Sequence, residues 1–483
     1  MSPLQSVLQR LTESYTQSQV VTVRSSLRTY ESDGLEQYAS IPGGVFLARS
    51  AEDVSHAIAM CVEREVPYVI RGSGTGLSGG ALPDPDGLLI VVTQMRSIIE
   101  IDDINRCAVV EPGVINLQLT KRAAPHGYYF APDPSSQTIC TIGGNIAENS
   151  GGAHCLKYGF TTNHLTGLRF VTGQGDAVDI GGKYQEPVGY DLLGLIGGSE
   201  GTLGTILEAT VKITRAPQDV VTILAGYETI EGAAGATSAI ISSGIVPSAI
   251  EMMDALAIQA AEKAVACGYP DGAGAVLIVE LDGHESEVAE EVSQVVAHLK
   301  ANKAFGVRTA TSDTDRANIW RGRKSAFAAV GRISPNYLVQ DGVVPRSRLV
   351  AVLSEITRIS GEYGMRVANV FHAGDGNLHP LVLFDAEEDG APERAEELAG
   401  EILSLCVAEG GSITGEHGVG TDKIDYMHLM FNTDELDVMR SVRSVFDPAN
   451  ILNRGKHIPT PTMCGETEMG TVRAAGPGSQ AKR

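Results

Sequence analysis

Three of the eleven histidines fall in two short glycine-rich stretches, His372-Ala373-Gly374-Asp375-Gly376-Asn377-Leu378-His379 and Thr414-Gly415-Glu416-His417-Gly418-Val419-Gly420. Two imidazoles and one carboxylate form a set that binds a catalytic divalent cation and leaves positions open for substrate. Gly-Asp-Gly-Asn is a strong turn former, and the apolar runs VANVF and LVLF flank the first stretch. A β-hairpin is therefore predicted there, with its turn at 374–377. That turn pairs His372 with His379, with Cβ atoms about 5 Å apart. Two hydrogen-bonded hairpin histidines without an ion are the alternative reading. The glycines around Glu416 and His417 fit a place where backbone must approach something closely. In an extended segment these two neighbours face opposite sides, so one can meet an ion while the other projects elsewhere in the site. A cationic run, Trp320-Arg321-Gly322-Arg323-Lys324, is the third feature. Such runs are ordinarily solvated faces.

The chain holds 55 glycines, over a tenth of its length, and many cluster. The first cluster is Arg71-Gly72-Ser73-Gly74-Thr75-Gly76-Leu77-Ser78-Gly79-Gly80. Gly74, Gly76 and Gly79 fit the spacing of a dinucleotide fingerprint, but that motif needs a helix to follow, with its N-terminus at a pyrophosphate. Residues 81–87 read ALPDPDG, which breaks helices. A Rossmann domain is thus disfavoured. Bare backbone N–H groups still make an anion nest suited to phosphate. The second cluster covers Pro132-Asp133-Pro134-Ser135-Ser136 and 141–152, with Thr141, Gly143, Gly144, Asn145, Asn149, Gly151 and Gly152. The third covers 197–206, with Glu200 and Ile206. Each alone reads as an ordinary loop, and together they suggest one large flat ligand with a pyrophosphate.

The positioning elements follow from periodicity and punctuation. Residues 1–20 read as a helix and 46–48 as a strand. Ser50 opens a helix with Glu52 and Asp53 in its first turn, as the helix dipole prefers, and Pro67 confirms its stop. Strands are predicted at 68–71, 87–92, 107–111 and 205–214, with a helix at 115–124. Segments 177–180 and 192–196 continue the alternation. Beyond 217 the texture becomes a second α+β alternation. Strands are read at 220–227, 274–282, 366–373 and 378–384, and helices at 232–243, 252–267, 286–303 and 392–409. Residues 441–458 form a helix-to-turn terminus. The polar tail 459–483 reads as disordered.

Length and composition bound the answer. At about 150 residues per domain, 483 residues make two to four domains. A 43% hydrophobic, 20% charged chain buries an ordinary core. The net charge of −22 disfavours nucleic acid and anionic lipid. No apolar run reaches the roughly 18 residues of a membrane span, and the N-terminus lacks a signal-peptide core. A soluble, cytoplasmic protein is expected. Seven scattered cysteines without CxxC read as reduced core thiols, not an iron–sulfur site.

The loop RGSGTGLSGG, the stretch PDPSSQTICTIGGNIAENSGGAH and the run GLIGGSEGTLGTI, in that order, resemble the FAD-binding domain of vanillyl-alcohol-oxidase-type flavoproteins. Within that superfamily HxGDGNLH and GEHGxG resemble the signatures of the D-2-hydroxyacid dehydrogenases, which act on glycolate, D-lactate or D-2-hydroxyglutarate. The likeness covers roughly residues 20–458. It implies an α+β chain with a two-part FAD-binding domain and an α+β substrate (cap) domain built on an antiparallel sheet. The expected division is 1–38 as an N-terminal helical segment, 39–216 for FAD, and 217–440 for substrate with the metal site. Residues 441–458 would return to the FAD domain. By resemblance, 72–78 hold the pyrophosphate of a non-covalent FAD, since no His stands in that loop. Residues 132–152, 197–206 and Asn453 would line the rest. His372, His379 and Glu416 would ligate zinc, manganese or iron, His417 would be the base, and Arg323 would hold the substrate carboxylate. Phe327 and Val339 stand where hydroxyglutarate-type relatives carry a hydroxyl and a Lys, which implies a small monoacid. The implied reaction is oxidation of glycolate or D-lactate to the 2-oxo acid with hydride passing to FAD. Electrons would leave to a separate acceptor, a second flavin-domain subunit with an iron–sulfur subunit, through which the chain would lie peripheral to a membrane. A hydroxyglutarate-type or sugar-alcohol enzyme of the same fold, and a catalytically silent FAD-domain subunit, are the alternatives.

Overall fold

The computed structural model describes residues 1–35, 37–184 and 188–460, together with the backbone of 472–473. Most of the tail expected at 459–483 lies outside the described residues. The chain forms two compact units. One comprises Met1–Gly152, Phe160–Ala216 and Glu416–Arg483, and the other comprises Ala153–Gly159 and Pro217–Gly415.

The first unit begins with helix Pro3–Ser14, shorter than the 1–20 expected because the chain turns to strand Val20–Val21. Its first sheet orders strands Val20–Val21, Gly44–Leu47, Leu88–Val91 and Tyr68–Arg71, and the last three run parallel. The helix Ala51–Arg64 joins Gly44–Leu47 to Tyr68–Arg71 and buries Val54, Ala57, Ile58 and Cys61 at helical spacing. Ser50 caps it by accepting from the Asp53 N–H, and Glu65 ends it at φ 51°. A second, antiparallel sheet orders Ala177–Gly181, Leu165–Val171, Thr205–Lys212, Cys107–Val110 and Ile98–Asp102. The glycine-rich stretch after Thr141 is a helix, Ile142–Glu148, capped by the Thr141 hydroxyl.

The second unit is a large antiparallel sheet with helices on both faces. Its path runs Phe305–Thr309, Asp219–Tyr227, Ala275–Gly283, Ala249–Asp254, Arg366–His372, Asn377–Leu378 and Gly342–Val343, with Pro380–Phe384 and Asn336–Val339 branching from it. Alternate side chains serve separate cores. Ile223, Ala225, Leu277, Val279 and Phe371 pack under helices Ile230–Ser242, Glu285–Ala301, Leu349–Glu362 and Ala391–Ala408. Leu224, Val276, Ile278, Met253 and Val370 pack under Ala255–Val265 and Asp313–Val330.

Four local expectations change. The helix expected at 252–267 starts only at Ala255, with Asp254 as its cap, because AIEMMD is a buried strand with no turn before the helix. The hairpin register pairs His372 with Asn377, not His379. Gly376, at φ 86°, donates its N–H to the His372 carbonyl, and the Asp375 carboxylate accepts from the Asn377 N–H, so the turn closes earlier. Residues 416–440 belong to the first unit, where Glu200 Oε1 and Oε2 accept from the N–H groups of Val419 and Gly420. Residues 153–159 belong to the second, where Lys157 and Tyr158 donate to Asp282 and His154 meets Glu280.

Candidate functional site

Within the first unit the glycine clusters converge on one groove, which encloses about 1210 Å³ of empty space, part of it open to solvent. Gly72, Ser73, Gly74, Thr75, Gly76, Leu77, Thr141, Gly143, Gly144, Asn145, Gly151, Glu200, Ile206 and Asn453 line it. Four expected residues do not reach its wall. Ser78 is buried with its carbonyl accepting from Thr421 and Asp422. The Pro132 carbonyl accepts from Asn116, and Asn149 ends the helix with its side chain accepting from the Thr162 N–H. A side chain at Gly152 would strike the Asp133 backbone. Asn145 and Asn453 line the groove, but their amides already serve the protein. Asn145 bonds Asn116, Cys140 and Ser150, and Asn453 donates to the carbonyls of Gly80 and Glu200.

The loop itself fits a phosphate. None of the backbone N–H groups of residues 73–77 donates a hydrogen bond to any described residue. Consecutive unpaired N–H groups are an anion site in waiting. Arg71 fixes the loop's base by donating to the Tyr30 and Ser32 carbonyls. Gly74 sits at φ 68° against the Arg71 guanidinium, whereas a Cβ on Gly76 would meet nothing closer than Glu148 Oε1 at 3.9 Å. The two glycines therefore differ: Gly74 serves the loop's own geometry and Gly76 keeps groove space clear.

Glu416 and His417 line the same groove. Their side chains approach to 3.8 Å (His417 Nε2 to Glu416 Oε1), each about 12% exposed. The expectation of opposite faces fails because this segment is bent, with Gly418 at φ 88°, not extended. The sequence also left Glu148 without a role. It lines the groove, and no described residue hydrogen-bonds its buried Oε2. Burial, then the charges of Glu200 and Asp33, push its carboxyl well above the usual range. Burial alone would raise Glu200 too, but His457 and the Val419 and Gly420 N–H groups hold it below the usual range.

The second unit gathers His372, His379 and Arg323. The two imidazoles stand edge to face with centroids 5.1 Å apart. They meet despite the changed register because His379 lies two residues beyond the partner of His372, a diagonal neighbour on the same face. His379 Nδ1 is 3.8 Å from Asp341 Oδ1, and Asp341 accepts from the Thr414 hydroxyl and the Gly415 N–H. Of the cationic run only Arg323 is buried, while Arg321 and Lys324 face solvent. Gly322 permits this burial, since a side chain there would collide with Tyr269 and Cys267. Phe327 lies 5.8 Å from both the Arg323 guanidinium and the His379 ring.

Glu251 joins these residues and was not anticipated. It is 1% exposed, accepts from Arg323 Nε at 2.7 Å, and meets His372 Nδ1 at 2.6 Å. Burial would raise its carboxyl, but the charges of Arg323 and His372 and their hydrogen bonds hold it below the usual range. With Nδ1 donating to Glu251, a neutral His372 carries its lone pair on Nε2, the tautomer common to metal-bound imidazoles. The residues thus suit a divalent ion, and the unpaired N–H groups of the loop suit a pyrophosphate.

Comparison with known proteins bears on the cofactor half. Residues 216–457 match the family described as FAD linked oxidases, C-terminal domain, and residues 42–181 match the FAD binding domain family. The glycolate oxidase subunit GlcD of Escherichia coli (strain K12) is 48% identical over 95% of this chain and 92% of its own length. A D-lactate dehydrogenase of Archaeoglobus fulgidus is 33% identical over 84% of this chain and 89% of its own. Among solved structures, p-cresol methylhydroxylase with substrate bound shares the fold with a TM-score of 0.79 at 15% identity, over 95% of this chain and 97% of that one. This is the vanillyl-alcohol-oxidase-type fold, and the chain belongs to the FAD-linked oxidases.

Proposed function

We propose that the chain oxidises a small D-2-hydroxy acid, glycolate or D-lactate, to the 2-oxo acid. The observation that carries this reading is Arg323: a buried guanidinium beside two histidines, its Nε held by Glu251 and its terminal nitrogens taken by no described residue. Such a fork suits a carboxylate. The names of the E. coli and A. fulgidus relatives supply the substrate class. Phe327 beside Arg323 and His379 favours a short acid, because it offers nothing to a distal carboxylate. FAD, held without a covalent bond by the 72–77 loop, would take the hydride, and that chemistry is the cofactor's own.

In this reading Arg323 holds the substrate carboxylate and His417 accepts the hydroxyl proton. His372 and His379, with Glu416 as third ligand, would hold zinc, manganese or iron, whose charge would make the hydroxyl more acidic. Electrons would leave to a separate acceptor, in this reading a second flavin-domain subunit and an iron–sulfur subunit; the word subunit in the name of the E. coli relative supports partner subunits of some kind. No helix among the described residues is long and apolar enough to cross a membrane. The reading places the chain in the cytoplasm, with membrane association through such a partner.

The test is anaerobic flavin bleaching of the purified yellow protein with glycolate, D-lactate, L-lactate and D-2-hydroxyglutarate, beside elemental analysis. Bleaching by glycolate or D-lactate is expected. Bleaching by hydroxyglutarate alone would overturn the short-acid assignment, and bleaching by none would overturn the function.

A further inference from the structure

We infer that Glu251 is a positioning residue that aims the substrate-holding guanidinium and one metal-side imidazole together; the inference rests on the function proposed above. Each of its oxygens has one task, Oε2 taking Arg323 Nε at 2.7 Å and Oε1 taking His372 Nδ1 at 2.6 Å. The fold builds this bridge. Glu251 and His372 are directly opposed across two antiparallel strands, and Arg323 descends from the helix packed on that face. With Nε engaged, Arg323 keeps Nη1 and Nη2 as a parallel pair of donors, the geometry that grips a carboxylate at both oxygens. With Nδ1–H donated to Glu251, the lone pair of His372 lies on Nε2, where a cation would need it. One carboxylate therefore fixes the rotation of the guanidinium and the tautomer of the imidazole.

A purely structural account fits poorly. The neighbours of Glu251 on that face, Ala249 and Met253, are fully buried and apolar. Apolar side chains in place of a buried ion pair commonly cost a core nothing. A carboxylate at this position is best explained by the groups it orients.

The experiment uses the FAD-loaded protein with E251Q, E251D, R323M and the E251Q/R323M double variant. FAD content and Tm report folding, KM for glycolate or D-lactate reports the substrate anchor, and chelator competition with Zn²⁺ reports the ion site. A Gln can accept from one partner, but its NH₂ confronts the other's N–H. E251Q is expected to keep FAD, raise KM at least ~10-fold, and weaken Zn²⁺ about 10–100-fold. E251D keeps the charge with a shorter reach and is expected to fall between. If Glu251 acts through Arg323, E251Q adds nothing to KM in the R323M background yet still weakens Zn²⁺. Unchanged KM and Zn²⁺ affinity in E251Q would overturn the inference, as would a KM penalty of equal size with and without Arg323. Loss of FAD from both Glu251 variants would mark a residue of the core and overturn it as well. A wild type that neither bleaches with a 2-hydroxy acid nor holds Zn²⁺ sinks the functional reading itself, whereas an active wild type with an indifferent E251Q sinks only the role of Glu251.

Discussion

Glu416 and His417 are adjacent in sequence and 3.8 Å apart at their tips, yet the proposed chemistry gives them different work. Glu416→Gln should lower metal content and activity together. His417→Ala should abolish flavin reduction by substrate while FAD and metal stay near wild type. Elemental analysis beside anaerobic bleaching on the same samples separates them, and the opposite pattern would reverse the roles. Arg323→Met should raise KM for the hydroxy acid and leave FAD content intact. Losing a buried charge-assisted contact costs roughly 2–4 kcal/mol in affinity, and an unchanged KM would remove Arg323 from the substrate. At this scale the two histidines were legible because Gly-Asp-Gly-Asn announces its turn. Glu251 was not. It sits inside an apolar strand sequence, and its partners lie 72 and 121 residues away along the chain. Glu148 was hidden in the same way, since only folding brings it beside Gly76.

At the scale of elements, the loop at 72–77 and the helix Ile142–Glu148 show what glycine density does and does not say. It marked the groove, because bare N–H groups and absent side chains are visible in sequence. It did not distinguish glycines needed by the backbone from those that clear space. Gly76→Val should place its methyl groups in the groove and abolish FAD binding in a folded protein. Gly74→Val should also fail, but by breaking the loop, since φ 68° and the Arg71 guanidinium leave no room for a side chain. Flavin absorbance with Tm on each variant checks this. Full FAD content in a folded Gly76→Val would remove the loop from the cofactor site. The hairpin carries a related lesson. Its register was misread by two residues, but a slip of two keeps every side chain on its face. The neighbourhood of His372 and His379 therefore survived an error that a slip of one would have made fatal.

At the scale of the whole chain, the order of elements along the sequence hid how the first unit is assembled. Its closing segment after 416 lies beyond the entire second unit; the family resemblance implies a return for 441–458 only, and periodicity reveals none. Lys456 shows what the segment does. Buried, it donates to the carbonyls of Gly80 and Leu82 and to Asn453 Oδ1, tying this segment to residues 80–82. Burial pushes its ammonium down to about 8, against the pull of Asp33, Asp84, Glu148 and Glu200. The ordinary value in an unfolded chain is about 10.4. Between those values the unfolded chain binds a proton that the folded chain does not, so the contribution of Lys456 to stability rises with pH across that window. The full rise is on the order of 3 kcal/mol at about 1.4 kcal/mol per pKa unit. Lys456→Met removes the titration together with three hydrogen bonds and should be destabilising throughout. Its deficit against wild type should widen from pH 8 toward 10, while the titrations of groups remote from Lys456 cancel in the difference. Denaturant midpoints of both proteins at pH 7.5, 9 and 10 measure it. A deficit that stays constant with pH would show that burial does not shift this ammonium, and that Lys456 contributes through its hydrogen bonds alone.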